Sequence, residues 1–338
     1  MTFLRPAVRL LLLCALIVSC SQADKERSAF GEALGTTYSI SYYSEEDIPL
    51  EKAFDSIFER VNQSMSTYRE SSDISRINRG DSLVVVDTLF QNVFKLSKKV
   101  WRKSNGYFDP TVGDLVNQYG FGPENGPKEI DSMTIDSLMQ FVGFDKLQLK
   151  GDRLIKETPQ IYLDFNAIAK GYTIDLIGHY LNSKGVDDYL IELGGELLAK
   201  GVNRERESYW TVGIDDPTQE EGQRELTATI GLQNKAMATS GNYRKHRTDP
   251  ETGAQYVHTI NPLTGFAQKS DLLSVTVLAE NCALADAYAT AFMAMGFDLS
   301  KMVLSQEDNL DAFLIYSTLG GEMKEYATPG FDELMKDL

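Results

Sequence analysis

The segment Ile161-Tyr-Leu-Asp-Phe-Asn-Ala-Ile-Ala-Lys-Gly-Tyr-Thr-Ile-Asp175 decides the fold, because the backbone pattern changes in the middle of it. Apolar and polar side chains alternate from Ile161 to Phe165, which predicts a β-strand. Asn166 then offers a side-chain oxygen for a helix N-cap, and apolar residues recur at helical spacing as far as Tyr180. We therefore predict a strand that runs directly into a helix.

The predicted junction is suited to bind an anion, because the first backbone N–H groups of a helix have no partner within the helix. Asp164 and Lys170 flank the junction with opposite charges. A strand-to-helix turn with one Asp and one Lys is also common as a purely structural element. The junction alone therefore leaves a phosphate site and a structural turn open.

The N-terminal residues have the pattern of a targeting signal. Arg5 and Arg9 give a basic start, and the apolar run that follows, Leu10–Val18, is too short to span a bilayer. The run ends in Ile17-Val-Ser-Cys20, which resembles the lipobox of bacterial lipoproteins, where the equivalent cysteine becomes the acylated first mature residue. A plain secretory signal with an incidental cysteine is the alternative.

We accordingly expect a lipoprotein signal peptide over residues 1–19, a polar tether over 20–32 and a single domain over 33–338. Acyl chains such as palmitate on Cys20 would anchor the protein in a bacterial cell envelope, facing the periplasm or the exterior. Cys282 would then be the remaining thiol of the mature chain. Its Ala-rich helical surroundings predict a small buried residue rather than a nucleophile.

The chain is strongly acidic. Its formal net charge is −16, and loss of Arg5 and Arg9 with the signal would change it to −18 (−16 − 2). A charge of this sign argues against a nucleic-acid partner, and we expect no basic stripe on the protein. A polyanionic ligand would then require a metal ion as a local cation.

A second pattern, in the helix that Asn281 is predicted to open, suits a metal ion. Asp286 and Thr290 are four residues apart, so they lie on one face of that helix, about 6 Å apart along its axis. Oxygen ligands favour Mg²⁺, and the sequence has no Cys/His cluster of the kind that binds zinc. The alternative is a buried Asp beside a Thr that bonds back to its own helix.

A third pattern is the loop Gly106-Tyr-Phe-Asp-Pro-Thr-Val-Gly113. Two aromatic side chains beside an Asp predict either a clamp for a planar ring or a hydrophobic anchor of the loop. For the whole chain, alternating strands and amphipathic helices predict an α+β fold, with largely antiparallel sheets flanked by helices. No G-x-G-x-x-G motif follows a strand, which argues against a Rossmann domain.

Eight motifs occur in a fixed order along the chain: Leu34-Gly-Thr-Thr-Tyr, Met65-Ser-Thr-Tyr-Arg, Gly106-Tyr-Phe-Asp-Pro-Thr-Val-Gly, Asp164-Phe-Asn-Ala-Ile-Ala-Lys-Gly-Tyr, Leu193-Gly-Gly, Thr239-Ser-Gly-Asn-Tyr-Arg, His258-Thr-Ile-Asn-Pro-Leu-Thr-Gly and Ala285-Asp-Ala-Tyr-Ala-Thr. Together they resemble the ApbE family, the FAD:protein FMN transferases of bacterial envelopes. The likeness extends from about Leu34 to Ser317. It implies a duplicated T-fold arrangement with the ligand site between two lobes.

The resemblance also implies the chemistry. FAD would be the substrate, with Mg²⁺ on its pyrophosphate, and a Ser or Thr hydroxyl of an acceptor protein would attack the FMN-side phosphorus and release AMP. The acceptors of such enzymes are typically subunits of membrane redox complexes or secreted flavoproteins. The alternatives are an FAD pyrophosphatase that yields FMN and AMP, and a non-enzymatic flavin-binding lipoprotein.

The positions that match the family's flavin contacts are Leu34, Tyr68, Tyr107, Phe108, Asp109, Asp164, Lys170 and Ile260. The implied metal ligands are Asp286, Thr290 and the carbonyl oxygens of Ala167 and Ala289. His258 is expected to transfer a proton at the attacking hydroxyl, with Asp286 and Lys170 as the other catalytic residues. We expect Asp286 at a surface-facing position that tolerates replacement. The structural alternative for Lys170 is an ion pair with Asp164 or Asp175.

Overall fold

The computed structural model describes residues 24–123, 130–219, 225–241, 246–248, 255–257, 259–267 and 270–336. The helices are α1 (Leu50–Met65), α2 (Asp73–Asn78), α3 (Thr88–Lys103), α4 (Gly113–Gln118), α5 (Ser132–Met139), α6 (Asn166–Ser183), α7 (Cys282–Met295), α8 (Phe297–Leu304) and α9 (Pro329–Asp332). The strands are β1 (Lys25–Ala33), β2 (Thr36–Ser44), β3 (Leu147–Lys150), β4 (Arg153–Lys156), β5 (Tyr189–Leu193), β6 (Glu196–Lys200), β7 (Trp210–Asp215), β8 (Leu226–Leu232), β9 (Lys235–Gly241), β10 (His246–Thr248), β11 (Gln255–Val257), β12 (Leu272–Ala279), β13 (Asp311–Ser317), β14 (Met323–Ala327) and β15 (Met335–Lys336).

The main sheet is antiparallel throughout. Among the described residues it contains eight strands in the order β1-β2-β5-β6-β9-β12-β13-β14. A smaller antiparallel sheet has the order β15-β8-β7, and β3 pairs with β4 in a hairpin. Helices cover the main sheet, so the predicted α+β fold with largely antiparallel sheets is confirmed.

Both faces of the main sheet are buried, because successive side chains of a strand point to opposite faces. Ala236 and Ala238 of β9 lie in the large core that the sheet shares with α1, α3, α6 and α7. Met237, between them, lies in a second core formed with the small sheet and α9. The helices that carry the predicted site residues are therefore held on one defined face of the sheet.

Helices α6 and α7 approach each other unusually closely at Gly171. A Cβ atom at this position would lie 2.3 Å from the Cys282 carbonyl oxygen, so no other residue type fits without movement of a helix. Most residues of α7 are small and buried on all sides of the helix, as is typical of a helix inside a core. Cys282 is one of them, in agreement with its predicted burial.

The opening segment differs from its prediction in two respects. Ile161–Phe165 joins no sheet, and within it Tyr162 forms an isolated bridge to Val112. The side-chain amide of Asn78 replaces a neighbouring strand here, since it accepts from Leu163 N at 2.9 Å and donates to Leu163 O at 2.8 Å. A side chain from a distant helix can satisfy the backbone as a strand would, and the local pattern cannot show it.

The cap of α6 is the second difference. Phe165 occupies the N-cap position, and Asn166 is already the first helical residue. The carboxylate of Asp164 takes the role predicted for Asn166, because Asp164 Oδ1 accepts from Asn166 N at 2.6 Å. An anionic acceptor at a helix start is favoured over a neutral amide by the helix dipole.

The predicted tether over residues 20–32 is also corrected. From Lys25 onwards the chain forms β1, which pairs with β2 along its whole length, from Lys25 opposite Ser44 to Ala33 opposite Thr36. Polar side chains are compatible with an edge strand because one of its sides faces water. None of the helices in the described ranges combines the length and apolar character that a bilayer span requires.

Candidate functional site

Two reciprocal contacts join α6 to α7. The carboxylate of Asp286, on α7, accepts from Gly171 N of α6 at 3.2 Å. The carboxylate of Asp175, on α6, accepts from Cys282 N at 2.7 Å and from Ala283 N at 3.0 Å, at the start of α7. Each helix therefore supplies a carboxylate that accepts from the backbone of the other helix. These contacts fix the position of α6 relative to α7 along the helix axes.

Asp286 is buried, with 4% of its surface exposed. The prediction of a surface-facing position is therefore wrong, because α7 lies inside the core rather than on its outside. Burial raises the pKa of Asp286, against the opposing effects of Lys170 and the Gly171 amide. Removal of this carboxylate would leave buried partners unsatisfied, so the expectation of a small stability cost does not hold.

Lys170 lies between two carboxylates. Its ammonium forms an ion pair and hydrogen bond with Glu196 Oε1 and lies 3.8 Å from Asp286 Oδ2. Burial opposes the charged form of Lys170, but Asp286 and Glu196 outweigh it and raise the pKa of Lys170 above its ordinary value. The ion pair predicted as the structural alternative exists, but its partners are Glu196 and Asp286 rather than Asp164 or Asp175.

Glu196 is a site residue that the sequence analysis missed. It is the first residue of β6 and pairs with Leu193 across a two-residue turn, Gly194-Gly195. Both glycines have positive φ, +64° and +101°, as this tight hairpin turn requires. The double glycine was visible in the sequence, and a carboxylate directly after it was the signal that could have identified Glu196.

One oxygen of the Glu196 carboxylate has no partner. Oε2 is buried and accepts no hydrogen bond from the described residues, while Oε1 binds Lys170. Burial raises the pKa of Glu196 to about 7, against the opposing effect of Lys170. The cluster thus contains two buried carboxylates and one ammonium, and Glu196 Oε2 remains available to accept a further bond.

This donor set fits Mg²⁺, which prefers oxygen ligands and compensates excess negative charge. Gly171 N is the amide that the α-helical pattern directs at the Ala167 carbonyl, four residues earlier, and it also donates to Asp286. Asp286 therefore reaches the first turns of α6, the part of the helix that contains Ala167. Thr290 follows Asp286 by one turn of α7 and is partly exposed, whereas Ala289 is fully buried and could contribute only its carbonyl.

Side-chain carboxylates and imidazoles alone do not form a metal site in the described ranges. No group of three or more His, Cys, Asp or Glu side chains comes together there at metal-binding distance. A cation at Asp286 would depend on carbonyl, hydroxyl, water or substrate oxygens for its remaining ligands, as is usual for Mg²⁺ at a phosphate site.

Asp164 and Tyr68 lie next to each other at the start of α6. Burial raises the pKa of Asp164 to about 6, although bonds from the Asn166 amide and side chain favour its charged form. Partial burial and the nearby Asp164 raise the pKa of Tyr68. The Tyr68 side chain is nevertheless 63% exposed, so an aromatic surface is accessible beside the junction.

The loop from Gly106 to Gly113 is joined to the same junction, since Asp164 N donates to Pro110 O at 2.8 Å. Phe108 is 2% exposed and belongs to the main core, so its side chain is the hydrophobic anchor that the sequence left as an alternative. Both carboxylate oxygens of Asp109 accept hydrogen bonds from the protein itself: Oδ1 accepts from Thr111 N and Oγ1, and Oδ2 accepts from Phe144 N. Tyr107 is partly exposed.

The remaining predicted residues are more widely distributed. Leu34 lies in the β1–β2 turn with φ +52°, and Thr37 O, at the start of β2, accepts from Gly194 N at 3.0 Å. Ile260 is buried in a small cluster with Leu115 and Tyr119. His258 and Cys20 lie outside the described residues. The structure therefore brings Lys170 and Asp286 together with Glu196. It places Tyr68 and Asp164 at the start of α6 and holds Phe108 and Asp109 as structural supports.

Comparison with known proteins identifies relatives over most of the chain. The model of the ApbE family matches residues 34–314. An FAD:protein FMN transferase of Vibrio cholerae is 34% identical over 323 residues, covering 94% of this chain and 95% of the relative. One of Haemophilus influenzae is 33% identical over 318 residues, covering 90% of each. The solved flavin transferase ApbE from Vibrio cholerae superposes with a TM-score of 0.82 at 33% identity, covering 92% of this chain and 99% of that one.

Proposed function

The chain belongs to the ApbE family and is a transferase, and we propose that it moves FMN from FAD, with Mg²⁺, to a Ser or Thr hydroxyl of an acceptor protein. The observation that carries this proposal is the cluster of Lys170, Glu196 and Asp286 beside the first turns of α6. It combines a fixed ammonium with carboxylates in excess, under a helix start that can bind phosphate. The names of the relatives support the same donor and product.

Mg²⁺ would be held by the Asp286 carboxylate, the Ala167 carbonyl and the Thr290 hydroxyl, where it would neutralise the pyrophosphate and the charge that develops as its P–O bond breaks. Lys170 contributes a second, fixed positive charge on the phosphates. Tyr68 offers an aromatic face to a planar ring of FAD. Glu196 holds the Lys170 ammonium in place.

The reaction forms one bond and breaks one. The acceptor oxygen bonds to the FMN phosphorus, and the bond from that phosphorus to the bridging oxygen of AMP breaks. His258 takes the proton of the attacking hydroxyl in this proposal, because an imidazole can act as a general base. AMP leaves with the bridging oxygen and its electron pair.

Acylation of Cys20 would anchor the enzyme in the bacterial cell envelope, facing the periplasm or the exterior. Since β1 begins at Lys25, the five residues from Cys20 to Asp24 would be the whole connection to the membrane, at most about 18 Å when extended. An enzyme held this close to a membrane is well placed for acceptors that are membrane redox subunits or secreted flavoproteins.

Mass spectrometry tests the proposal. The mature protein is incubated with FAD, Mg²⁺ and a candidate acceptor, and the acceptor is weighed with and without a chelator of Mg²⁺. A gain of one FMN with release of AMP, lost with the chelator and in Asp286→Asn, is the expected result. Free FMN and AMP with an unchanged acceptor would identify a pyrophosphatase, and intact FAD would identify a flavin-binding protein.

A further inference from the structure

Helix α3 carries a stripe of positive charge. Its basic residues recur at helical spacing, with intervals of three, one, three and one: Lys95, Lys98, Lys99, Arg102 and Lys103. They line a groove of about 500 Å³ whose other lining residues are Phe94 and Leu149. We call these seven residues the basic groove. The expectation that the protein has no basic stripe is therefore wrong, because the net charge of a chain does not show where its cations gather on the surface.

The charges of the basic groove are largely unmatched. Lys103 pairs with Glu307 at 2.6 Å, whereas the other four cations form no ion pair with any described residue. Like charges three and four residues apart on a helix repel each other, so the stripe costs stability in the isolated protein. It does so in a chain whose net charge is −16. A local surplus of this kind is suited to attract an anionic partner and to orient it.

The shape of the groove favours an extended acidic segment over a lipid surface. From Lys95 to Lys103 the stripe is about 12 Å long, at 1.5 Å per residue. Three alternate side chains of an extended strand cover about 13 Å, so acidic residues at every second position would match the stripe. Phe94 forms part of the groove but is only 3% exposed, so it presents no protruding apolar side chain that could insert into a bilayer.

The basic groove is also connected to the proposed flavin site. Helix α3 ends at Lys103, and the next residue, Ser104, accepts through Oγ from Phe108 N in the loop from Gly106 to Gly113 at 3.0 Å. Near the other end of α3, Asn92 Nδ2 donates to the hydroxyl of Tyr172 on α6 at 3.1 Å. A segment docked along α3 would therefore run beside α6 and the loop from Gly106 to Gly113, which belong to the proposed flavin site.

We propose that the basic groove docks an acidic, extended segment of the acceptor protein beside the flavin site. The assignment of this partner rests on the proposed transferase function. The cations of the groove would recognise the negative charges that the segment presents at every second position. Acceptors would then be selected partly by an acidic stretch at some distance from the hydroxyl that receives FMN.

Fluorescence anisotropy tests the binding step without FAD or Mg²⁺, so its result does not depend on transferase activity. The probe is a fluorescein-labelled peptide of five Glu-Ala repeats, added to the mature chain at low salt. The variant is Lys95→Glu/Lys99→Glu, and the matched control is Lys52→Glu/Lys184→Glu, which changes the net charge equally at exposed positions of other helices or their ends. We expect the groove variant to bind about tenfold or more weakly, and the control less than about twofold more weakly.

Three results would overturn the proposal. One is equal loss of peptide binding in both variants, which would indicate an effect of net charge alone. Another is stronger binding to phosphatidylglycerol vesicles than to the peptide, with the same dependence on Lys95 and Lys99, which would indicate a lipid surface. The last is an unchanged KM of the groove variant for the acceptor that gains FMN, where we expect KM to rise and kcat to change little. Absence of any FMN transfer would instead contradict the proposed function.

Discussion

Lys170 and Lys99 have the same side chain in opposite surroundings. Lys170 lies against the buried carboxylates of Glu196 and Asp286, with 31% of its side chain exposed. Lys99 is exposed on α3 and has no ion pair among the described residues. In the first region the charge is matched within the protein, and in the second it is left for a partner.

The difference shows how position decides what a charge does. In a region of low dielectric, a charge interacts strongly with its neighbours and is costly to leave alone, so the cluster around Lys170 defines one geometry. At the surface, water and salt weaken each interaction, so the stripe on α3 contributes little to the fold and remains free to act over distance. Substitutions in the two regions should therefore differ first in stability and then in salt dependence.

The largest expected effect is that of Lys170→Met, which keeps most of the side-chain length but removes the charge. Glu196 and Asp286 would then face each other without the cation, and we expect a loss of about 2 to 4 kcal/mol in the free energy of unfolding of ligand-free protein, because the partial exposure of Lys170 moderates the cost of unpaired buried charge. Urea unfolding without FAD measures it. We also expect a smaller rise of melting temperature on addition of FAD and Mg²⁺.

These two measurements separate the roles of Lys170. A lower stability with an undiminished FAD-induced shift would leave the ion pair as its only role and remove Lys170 from the flavin site. Normal stability in the absence of FAD would contradict the ion pair itself. The conservative variant Lys170→Arg retains the charge, so it should recover stability more fully than FAD binding, because a guanidinium cannot place its charge as a compact ammonium does.

The next effect is that of Asp175→Asn at the contact between α6 and α7. A neutral amide can accept only with its oxygen, so the Cys282 and Ala283 amides both lose a charged partner and one of them faces a donor instead of an acceptor. We expect a loss of about 2 to 3 kcal/mol in the free energy of unfolding. Weaker Mg²⁺ activation should accompany it, because Asp286 lies on the helix that this contact positions. An unchanged dependence on Mg²⁺ would show that Asp286 is positioned by Gly171 alone.

The same variant should reduce the pH dependence of stability. Burial raises the pKa of Asp175 to about 7, with a smaller effect from Asp286. A group whose pKa is higher in the folded protein binds protons more strongly there, so its contribution is fully present below about pH 4 and is lost as the pH rises to about 7. Asp164 and Glu196 act in the same direction. Unfolding at pH 4.5 to 8 should therefore show a shallower decline for Asp175→Asn than for the wild type, and an equal decline would contradict the shift.

The smallest effect is expected for Lys99→Met, the exposed counterpart of Lys170→Met. The free energy of unfolding should change by less than about 0.5 kcal/mol, since no partner loses a contact and the repulsion from neighbouring cations decreases. Comparison of the two variants in urea at low and high salt checks this. A loss as large as that of Lys170→Met would show that the stripe is part of the structural core and would weaken the contrast between the two regions.

Patterns within one segment were predicted well from the sequence. Asn281 caps α7 through its side chain, and Asp286 and Thr290 lie one turn apart in that helix, as the sequence indicated. These features depend on residues that are neighbours along the chain, so their spacing carries the information. The same holds for the ordered motifs that identified the family, which are continuous stretches of sequence.

Features that join distant segments were missed or misassigned. Asn78 pairs with the backbone of Leu163, 85 residues away, and takes the place of the partner strand that the sequence pattern implied. Glu196 reaches Lys170 only because β6 packs against α6. The spacing of residues along the chain carries no information about contacts between distant segments. The sequence therefore could not show which of several acidic residues pairs with Lys170.

The sequence by itself determined the α+β class, the family, the position of the junction that opens α6 and the placement of Asp286 and Thr290 on one helical face, since each follows from local periodicity or from continuous motifs. Only the tertiary structure decided which charges are matched. It buried Asp286 against Gly171, gave Lys170 to Glu196, and left the cations of α3 at the surface, because burial and dielectric are properties of the packed chain rather than of any segment.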